Sequence, residues 1–370
     1  MSISRCQVAE TVKQVAGLSP VSTFNEWDPL EEVIVGVIDD IRMPDWDRSL
    51  EAVIPKRHQS YLKSIAGSRF EEAHVQRARS EVDGLADLLS KLGVKVRRPD
   101  AHDHFAAFAT PFFNSNGGYY SAMPRDGMLA IGNKIIETPM AWRSRYFETF
   151  PYRSILIDYF RQGAHVVSAP KPMLKDSMWI DEVLNKNAFE SVIGNDEPLF
   201  DAADFIKVGR DIIGQRSHVT NQLGVDWLRR ELGSRFNVHV YSFDDNAPMH
   251  IDTTILPLAP DKVLVNPAWV SKIPDFFRDW EVLVAPPSQM PDNHPLYMTS
   301  KWIHMNVLSL DERTVIVERQ EHVLIAAFRK WGFEVVPCDF QNFQSFGGSF
   351  HCATLDIRRT GRLASYRADA

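Results

Sequence analysis

Cysteine is scarce in this sequence, whose 370 residues contain only Cys6, Cys338 and Cys352. The three cysteines form no CxxC pair, which argues against a disulfide framework and against a cysteine zinc site. Dense runs of lysine and arginine are also lacking. The net charge of −7 and the pI near 6.0 therefore argue against a nucleic-acid-binding surface.

Long apolar runs are lacking as well. No window approaches the ~18 consecutive apolar residues that a membrane-spanning helix needs. The first twenty residues contain Arg5 and Lys13 but no continuous apolar stretch, so no secretory signal is predicted there. We interpret residues 1–20 as a peripheral N-terminal segment. The sequence favours a cytoplasmic protein without membrane contact, and a reducing cytoplasm would keep a reactive thiol free.

What the sequence does contain is a repeated order of helix, turn and strand. Apolar residues at 75, 78, 82, 85, 89 and 92 have helical spacing, and a short strand follows Gly93 at 94–96. The same order recurs with turns at 163, 233, 280 and 332. A further apolar strand precedes each helix, and these five strands are predicted at 31–36, 128–132, 205–208, 262–265 and 314–317.

Five repeated units predict an α/β protein in which each unit packs on its neighbours. A closed ring is favoured because it leaves no unpaired end unit, and a doubly wound α/β sheet is the alternative. The sequence has no GxGxxG after a strand and no P-loop, which are common signatures of doubly wound nucleotide-binding folds. We predict one catalytic domain over residues 21–370, built from five strand–helix–strand units.

Polar clusters precede the strands of successive units. They are Met123-Pro124-Arg125-Asp126, Asp201-Ala202-Ala203-Asp204, Met249-His250-Ile251-Asp252, Met298-Thr299-Ser300-Lys301 and, near the end, Gly347-Gly348-Ser349-Phe350-His351-Cys352. In a ring these clusters converge at one end of the axis. His250 and Asp252 are two residues apart, so in an extended segment they point the same way. Singly, each residue also has an ordinary explanation, such as a turn-capping aspartate or a buried core cysteine.

A thiol, an imidazole and several carboxylates together favour covalent cysteine chemistry on a guanidine or an amide. Carboxylates hold a planar guanidinium in bidentate geometry, and this cation lowers the pKa of a nearby thiol. A thiolate can attack the amidine carbon while a histidine transfers the proton. This chemistry needs no cofactor and no metal, and the HExxH ligand spacing does not occur.

Six stretches resemble the L-arginine amidinotransferases, a family that includes the glycine and inosamine-phosphate enzymes. The stretches are 24–36, 123–126, 139–145, 200–205, 249–252 and 347–352, and the resemblance covers residues 22–366. It implies the pentein fold, a five-unit α/β propeller with pseudo-five-fold symmetry. It also implies that L-arginine and an acceptor amine are the substrates and L-ornithine a product, and it is compatible with a homodimer.

The resemblance also implies roles for individual residues. Cys352 is expected to be the nucleophile that carries the amidino group, His250 the general acid and base, and Asp201 its carboxylate partner. Asp126 and Asp252 are expected to bind the guanidinium. The other residues expected to contact substrate are Arg125, Ala247, Met249, Trp269, Thr299 and Ser300.

Two positions depart from the family pattern. Trp269 stands where the family commonly has an arginine that binds a carboxylate, so an indole replaces a guanidinium. Ala247 stands where the glycine enzyme has asparagine, which indicates a roomier acceptor site, and Asp244 or Asp245 could meet a cationic acceptor. We therefore expect an acceptor larger than glycine, such as lysine, in a bacterial natural-product or toxin pathway. The alternatives are glycine as the acceptor and a guanidine hydrolase of the arginine deiminase type.

Overall fold

The computed structural model describes residues 19–180 and 189–367. Most of the predicted N-terminal segment, including Cys6, therefore lies outside the described residues. No helix within these two ranges is both long and apolar enough to cross a membrane. Cys338 and Cys352 are both buried free thiols.

The described part of the chain contains seventeen β-strands. They are β1 (Leu30–Val35), β2 (Lys95–Arg97), β3 (Phe108–Ala109), β4 (Asn114–Ser115), β5 (Met128–Ile131), β6 (Lys134–Glu137), β7 (His165–Ser168), β8 (Phe205–Val208), β9 (Asp211–Gln215), β10 (Asn237–Tyr241), β11 (Ile255–Ala259), β12 (Lys262–Val265), β13 (Glu281–Val284), β14 (Leu308–Ser309), β15 (Thr314–Glu318), β16 (Glu334–Cys338) and β17 (Thr354–Arg359). Strands β3 and β4 pair with each other, and the other fifteen form five three-stranded sheets.

The five sheets share one design. Their strand orders are β17-β1-β2, β5-β6-β7, β8-β9-β10, β11-β12-β13 and β14-β15-β16. In each sheet the outer first strand pairs antiparallel with the middle strand, and the middle strand pairs parallel with the third. Antiparallel neighbours need only a short turn, whereas parallel neighbours need a longer crossover. The first sheet takes its outer strand from the end of the chain, where Asp356 on β17 lies opposite Val33 on β1.

Helices supply most of the crossovers between parallel strands. The α-helices of the described residues are α1 (Arg48–Val53), α2 (Lys56–Ser64), α3 (Glu72–Lys91), α4 (Pro124–Gly127), α5 (Arg153–Arg161), α6 (Gln222–Leu232), α7 (His322–Lys330) and α8 (Gln341–Gln344). Short 3-10 helices are formed by Arg143–Arg145, Phe150–Tyr152, Asp176–Met178, Ala202–Asp204, Gly233–Arg235, Asp275–Phe277 and Lys301–Met305. Helices α3, α5, α6 and α7 each lead into the third strand of their sheet.

The helical spacing predicted for α3 is confirmed by its buried face. The buried apolar residues of α3 are Val75, Ala78, Val82, Leu85, Ala86 and Leu89. Leu92, the last position of the predicted pattern, is the C-cap of α3 and is 49% exposed. The helix ends here because Gly93 takes a left-handed φ of 87°, which glycine adopts without steric strain.

The fourth predicted crossover helix, ahead of Trp280, was wrong. The structure has only the 3-10 helix Asp275–Phe277 at this place. Pro267 and Pro274 lie in the crossover, and a proline lacks the N–H that a helix interior requires. The apolar pattern nevertheless indicated which side chains are buried, although they do not form a regular α-helix. These side chains are Phe276, Phe277 and Trp280.

One strand in each sheet escaped the sequence pattern. In the five three-stranded sheets, the missed strands are β6, β9, β11, β14 and β17, which are the antiparallel partners of predicted strands. The order of the polar clusters is nevertheless preserved, because a polar segment stands before the first strand of every sheet. Strand β5 follows α4, β8 follows the 3-10 helix Ala202–Asp204, and β17 follows the segment that ends in Cys352 and Ala353.

Candidate active site

Side chains from three of the polar segments meet at one buried point. Asp126, His250 and Cys352 each offer one oxygen, nitrogen or sulfur atom, and these atoms all lie within 4.8 Å of one another. All three residues are at most 5% exposed. Carboxylate, imidazole and thiol are also groups that bind zinc, so the expectation that no metal is needed remains a prediction.

His250 is held between two carboxylates. Its Nε2 lies 3.1 Å from Asp201 Oδ2 and its Nδ1 lies 3.6 Å from Asp126 Oδ1. Burial alone would lower the pKa of His250, but the negative charges of Asp126 and Asp201 outweigh it and raise that pKa well above its usual value. A histidine with this environment carries a proton near neutral pH and can deliver it as a general acid.

The backbone at His250 is not extended, which corrects the expectation for this segment. His250 has a φ of 71°, in the left-handed region that non-glycine residues rarely occupy. Its N–H donates to Asp204 Oδ1 at 3.1 Å, and Asp204 is itself held by Gln215 and Ser217. His250 and Asp252 both reach the site because this turn presents them, rather than because a strand alternates.

Cys352 lies in a tight turn whose glycines are required by the backbone. Gly347 has a φ of 102°, and a Cβ on Gly348 would lie only 2.7 Å from the Cβ of Cys352. The thiol Sγ lies 3.4 Å from Asp252 Oδ2 and accepts an N–H from Asn306 Nδ2 at 3.1 Å. Burial and the negative charge of Asp252 raise the pKa of the Cys352 thiol to about 12, so the free protein holds a neutral thiol.

Asn306 was missed by the sequence analysis. Its side-chain oxygen accepts the backbone N–H groups of Ser349 and Cys352, both at 3.1 Å, while its nitrogen donates to Sγ. A donor to sulfur favours the thiolate form. The available signal was its position, since Asn306 stands two residues before Leu308, where β14, the first strand of the fifth sheet, begins.

The three aspartates of the site share one property. Asp126, Asp201 and Asp252 are at most 2% exposed, and the Oδ1 atom of each is buried without a hydrogen-bond partner among the described residues. Their Oδ2 atoms contact Arg145, His250 and His351, respectively. Unpartnered buried carboxylate oxygens are costly, so the arrangement suits a ligand that brings several N–H donors.

Arg145 supports two of these carboxylates. Its Nη2 donates to Asp126 Oδ2 at 2.9 Å, and its Nη1 lies 3.6 Å from Asp201 Oδ2. Its Nε donates to Glu148 Oε2 at 2.6 Å, so the guanidinium is held in a fixed plane. The sequence match included this residue without assigning it a role.

Arg125, which is expected to contact substrate, lies in a buried ion-pair network. Arg125 is 5% exposed and its guanidinium pairs with Glu26 at 3.2 Å and Asp356 at 2.8 Å. Its Nε donates to the backbone oxygens of His351 and Thr354. These contacts occupy the donors of Arg125 in the buried layer beneath the site, because two acidic side chains there need a cation.

A cavity of about 320 Å³, lined among others by Met249 directly before His250, collects the remaining predicted substrate-binding residues. Its lining residues are Glu51, Ala52, Val53, Ile54, Pro55, Lys56, Gln59, Asp245, Ala247, Met249, Thr253, Trp269, Met298, Thr299 and Ser300. Residues 51–59, from α1 and α2, were not anticipated. Their sequence is an ordinary amphipathic helical pattern, so only the tertiary structure shows that they face the cavity.

The two acidic residues ahead of Ala247 have different positions. Asp245 lines the cavity, and burial raises the pKa of its carboxyl. The carboxylate of Asp244 instead accepts the backbone N–H of Ser271 at 3.1 Å. Both aspartates also line a neighbouring cavity. Of the two residues expected to meet a cationic acceptor, Asp245 is therefore the better placed.

Similarity to known proteins identifies the family. No family model matches the sequence. The L-arginine:L-lysine amidinotransferase of Pseudomonas savastanoi pv. phaseolicola is 50% identical over 351 residues, covering 94% of this chain and 97% of that protein. The mitochondrial glycine amidinotransferase of Gallus gallus is 42% identical over 377 residues, covering 99% of this chain and 89% of that protein. The chain belongs to the amidinotransferase family.

Solved structures agree with this amidinotransferase assignment. SxtG, an amidinotransferase of the saxitoxin biosynthetic pathway from Microseira wollei, has a TM-score of 0.87 and 43% identity, covering 94% of this chain and 99% of that chain. The inosamine-phosphate amidinotransferase of Streptomyces griseus has a TM-score of 0.87 and 39% identity, covering 95% of this chain and 100% of that chain. DDAH from Pseudomonas aeruginosa shares the fold alone. It has a TM-score of 0.57 and 16% identity, covering 88% of this chain and 99% of that chain.

Proposed function

We propose that this amidinotransferase moves the amidino group of L-arginine to an acceptor amine through an amidino–Cys352 intermediate and releases L-ornithine. The observation that carries the proposal is that the Oδ1 atoms of Asp126, Asp201 and Asp252, beside a buried thiol, have no hydrogen-bond partner among the described residues. A guanidinium brings five N–H donors and one positive charge, and it matches both the hydrogen bonding and the charge of this site.

Arginine binding also activates the nucleophile. A free thiol with a pKa near 12 is a poor nucleophile at neutral pH. The guanidinium cation lowers this pKa by attraction to the thiolate, and Asn306 donates to the sulfur that becomes charged. The thiol therefore loses its proton, which passes to solvent, only when the amidino donor is in place. The first half-reaction then begins with the Cys352 thiolate and a protonated His250.

The transfer then takes two balanced half-reactions. In the first, the sulfur of Cys352 bonds to the amidine carbon, the bond from that carbon to the departing nitrogen breaks, and His250 gives that nitrogen a proton. In the second, the acceptor amine attacks the same carbon, His250 takes a proton from it, and the carbon–sulfur bond breaks. Asp201, at 3.1 Å from His250 Nε2, holds the imidazole in place in both halves.

For the acceptor, we propose an amine longer than glycine, with lysine as the leading candidate in a bacterial natural-product or toxin pathway. Ala247 gives this wall of the cavity only a methyl group, and Asp245 offers a carboxylate to a second amino group of the acceptor. The 50% identity to an enzyme named for L-lysine supports the same choice. Glycine remains the second candidate because of the 42% identical glycine enzymes.

For the carboxylate of the donor arginine, we propose Lys56 as the partner that replaces the missing arginine at Trp269. Lys56 is the one cationic side chain among the described residues that line the cavity. Thr299 and Ser300 line the same cavity and offer hydroxyl groups. An ammonium and two hydroxyls can together bind a carboxylate that Trp269 cannot pair with.

We also propose the finer architecture implied by the family resemblance. Five sheets of identical strand order, with the last strand paired to the first, support a five-unit propeller with pseudo-five-fold symmetry. Residues 21–370 would then be one catalytic domain, acting in the cytoplasm, and we propose a homodimer as its assembly. Light scattering on the purified protein tests the assembly, since a mass of 42.2 kDa in solution would contradict a dimer.

One assay tests the function. Purified enzyme is incubated with arginine and a panel of amines, and ornithine, citrulline and guanidino products are quantified. Ornithine with an equal amount of one guanidino product is expected, whereas citrulline without a guanidino product would show a hydrolase. Cys352→Ala is expected to abolish turnover and the arginine-derived adduct seen by mass spectrometry, and retained turnover would remove the covalent mechanism.

A further inference from the structure

His351, directly before the nucleophile, has no part in the reaction steps described above. It is 4% exposed, and each of its ring nitrogens faces a carboxylate oxygen. Nδ1 lies 2.8 Å from Asp252 Oδ2, and Nε2 lies 3.2 Å from Glu26 Oε2. His351 therefore links a carboxylate of the site to a carboxylate of the layer beneath it.

The chemistry of these partners sets the direction of the hydrogen bonds. An ionised carboxylate only accepts hydrogen bonds, so a ring nitrogen of His351 that bonds one donates an N–H to it. Burial alone would raise the pKa of Glu26, but Lys207 and Arg125 hold it well below its usual value. The pKa of Asp252 is also lowered, because the hydrogen bond and charge of His351 outweigh burial. Both carboxylates are therefore ionised at neutral pH.

Glu26, the carboxylate beneath the site, is itself held by ion pairs. Glu26 pairs with Arg125 at 3.2 Å and Lys207 at 3.6 Å, and Asp356 pairs with the same two cations. All of these residues are at most 5% exposed. Such a network has one satisfied arrangement, so it fixes the ring of His351 rather than letting it turn.

We propose that His351 is a positioning residue for the guanidinium site, acting through Asp252. Donation from Nδ1 to Oδ2 fixes the carboxylate of Asp252, so that its Oδ1, which has no partner among the described residues, is presented to the donor substrate. The same carboxylate contacts Cys352 Sγ at 3.4 Å, so its orientation also affects the nucleophile. This inference rests on the proposed binding of arginine by Asp252.

Two neutral substitutions separate positioning from simple packing. Asparagine at position 351 places an amide N–H near the position of Nδ1 and keeps the donor to Asp252. Leucine keeps similar bulk and removes both donors. His351→Leu is expected to raise the KM for arginine about 10- to 100-fold, the size of a lost charge-assisted hydrogen bond, while His351→Asn stays within about 3-fold of the parent enzyme.

The experiment measures kcat and KM for arginine, with thermal unfolding of each variant as a measure of folding. His104→Leu is the matched control, because His104 is also buried and bonded, through Ser121 Oγ at 3.0 Å, but lies outside the site. It is expected to lower Tm without changing the KM for arginine. If His351→Leu does not fold, His351→Gln replaces it, since glutamine keeps the donor on the Glu26 side only.

The outcomes separate the inference from the proposed function. If the parent enzyme releases no ornithine from arginine, the proposed function falls. If the parent is active but His351→Leu, or His351→Gln in its place, leaves the KM for arginine unchanged, the positioning role of His351 is rejected and the proposed function stands. Equal impairment of His351→Asn and the variant lacking the Nδ1 donor also overturns it, because the restored donor would then have no effect.

Discussion

At the scale of single residues, the reactivity of the site depends on opposing effects on one sulfur. Burial and Asp252 raise the pKa of the Cys352 thiol to about 12, while Asn306 donates a hydrogen bond that favours the thiolate. A positive ligand shifts this balance. In the proposed mechanism, Cys352 therefore stays protonated until a cationic substrate binds, which limits side reactions of the thiol.

Asp252→Asn is expected to lower the pKa of Cys352, because it removes a negative charge next to Sγ and keeps the side-chain volume. Without arginine, alkylation by iodoacetamide at pH 8 should become about 10-fold faster for each pKa unit by which the thiol pKa falls. The measurement uses variants that lack Cys6 and Cys338. Asp245→Asn serves as the control, and an unchanged rate in Asp252→Asn would contradict the electrostatic assignment.

Ala247→Asn is expected to shift the acceptor preference towards glycine. The larger polar side chain occupies part of the cavity where a longer amine would lie. The ratio of guanidinoacetate to homoarginine, formed with glycine and lysine in competition, should rise about 10-fold, the usual scale of discrimination by a pocket of changed size. Asn246→Ala, an exposed change on the same loop, should leave the ratio as it was.

At the scale of elements, helices α1 and α2 form the wall of the cavity that the sequence pattern did not assign to the site. Asp47 caps α1 by accepting the N–H of Leu50 at 3.0 Å, and Pro55 begins α2. This arrangement brings Glu51, Lys56 and Gln59 to one surface. Lys56, which we propose as the partner of the arginine carboxylate, therefore comes from a short helix rather than from the five sheets.

Lys56→Gln is expected to reduce kcat/KM for arginine about 10-fold through the lost charge-assisted contact to its carboxylate. Agmatine, which lacks that carboxylate, should be used equally well by the variant and the parent. Arg57→Gln is the control, because Arg57 is exposed on α2 and does not line the cavity. Cadaverine is the acceptor analogue that lacks the carboxylate of lysine. If Lys56→Gln lowers activity with lysine but not with cadaverine, and affects arginine and agmatine equally, the assignment of Lys56 to the donor is contradicted.

At the scale of the whole molecule, the two ends of the catalytic region are joined. Strand β17 completes the sheet that begins with β1. Arg359 on β17 is 2% exposed, pairs with Asp356 at 2.9 Å and donates to the backbone oxygens of Asp28 and Ser309. This one side chain connects the last strand to the first segment and to the fifth sheet.

Arg359→Leu is expected to lower the free energy of unfolding by about 3–5 kcal/mol, because it removes one partner of a buried ion pair and leaves the backbone oxygens of Asp28 and Ser309 without their donor. Urea unfolding measures this change. Arg358→Leu, on the same strand and in a weak contact with Glu31 at 3.9 Å, should lower it by less than about 1 kcal/mol. Equal losses would show that β17 itself, and not the buried pair, carries the effect.

The ion pair between Asp356 and Arg359 also contributes to the stability of the protein at low pH. Burial would raise the pKa of Asp356, but Arg359, Arg125 and Lys207 lower it to about 2. This stabilisation is present above the usual aspartate pKa of about 4 and is lost as the pH falls towards 2. In Arg359→Leu the pKa of Asp356 should rise, so the midpoint of acid unfolding should move to higher pH.

Local features of the fold were predictable because they depend on neighbours along the chain. The apolar spacing of α3, and the left-handed glycines at Gly93, Gly163, Gly233 and Gly332, follow from helical periodicity and from backbone sterics. The short hairpin strands were not predictable in this way. A strand such as β14, with two residues, is defined by its partner rather than by its own pattern.

The sequence by itself indicated covalent cysteine chemistry. A cysteine that follows a pair of glycines, and a separate set of three aspartates and one histidine, can be recognised from residue types and spacing. Only the tertiary structure placed Asn306 on the sulfur, turned Arg125 into the buried layer and brought Lys56 to the cavity. These positions depend on contacts between segments far apart in the chain. Whether a charged side chain meets substrate or another side chain is decided by those contacts and not by its own sequence.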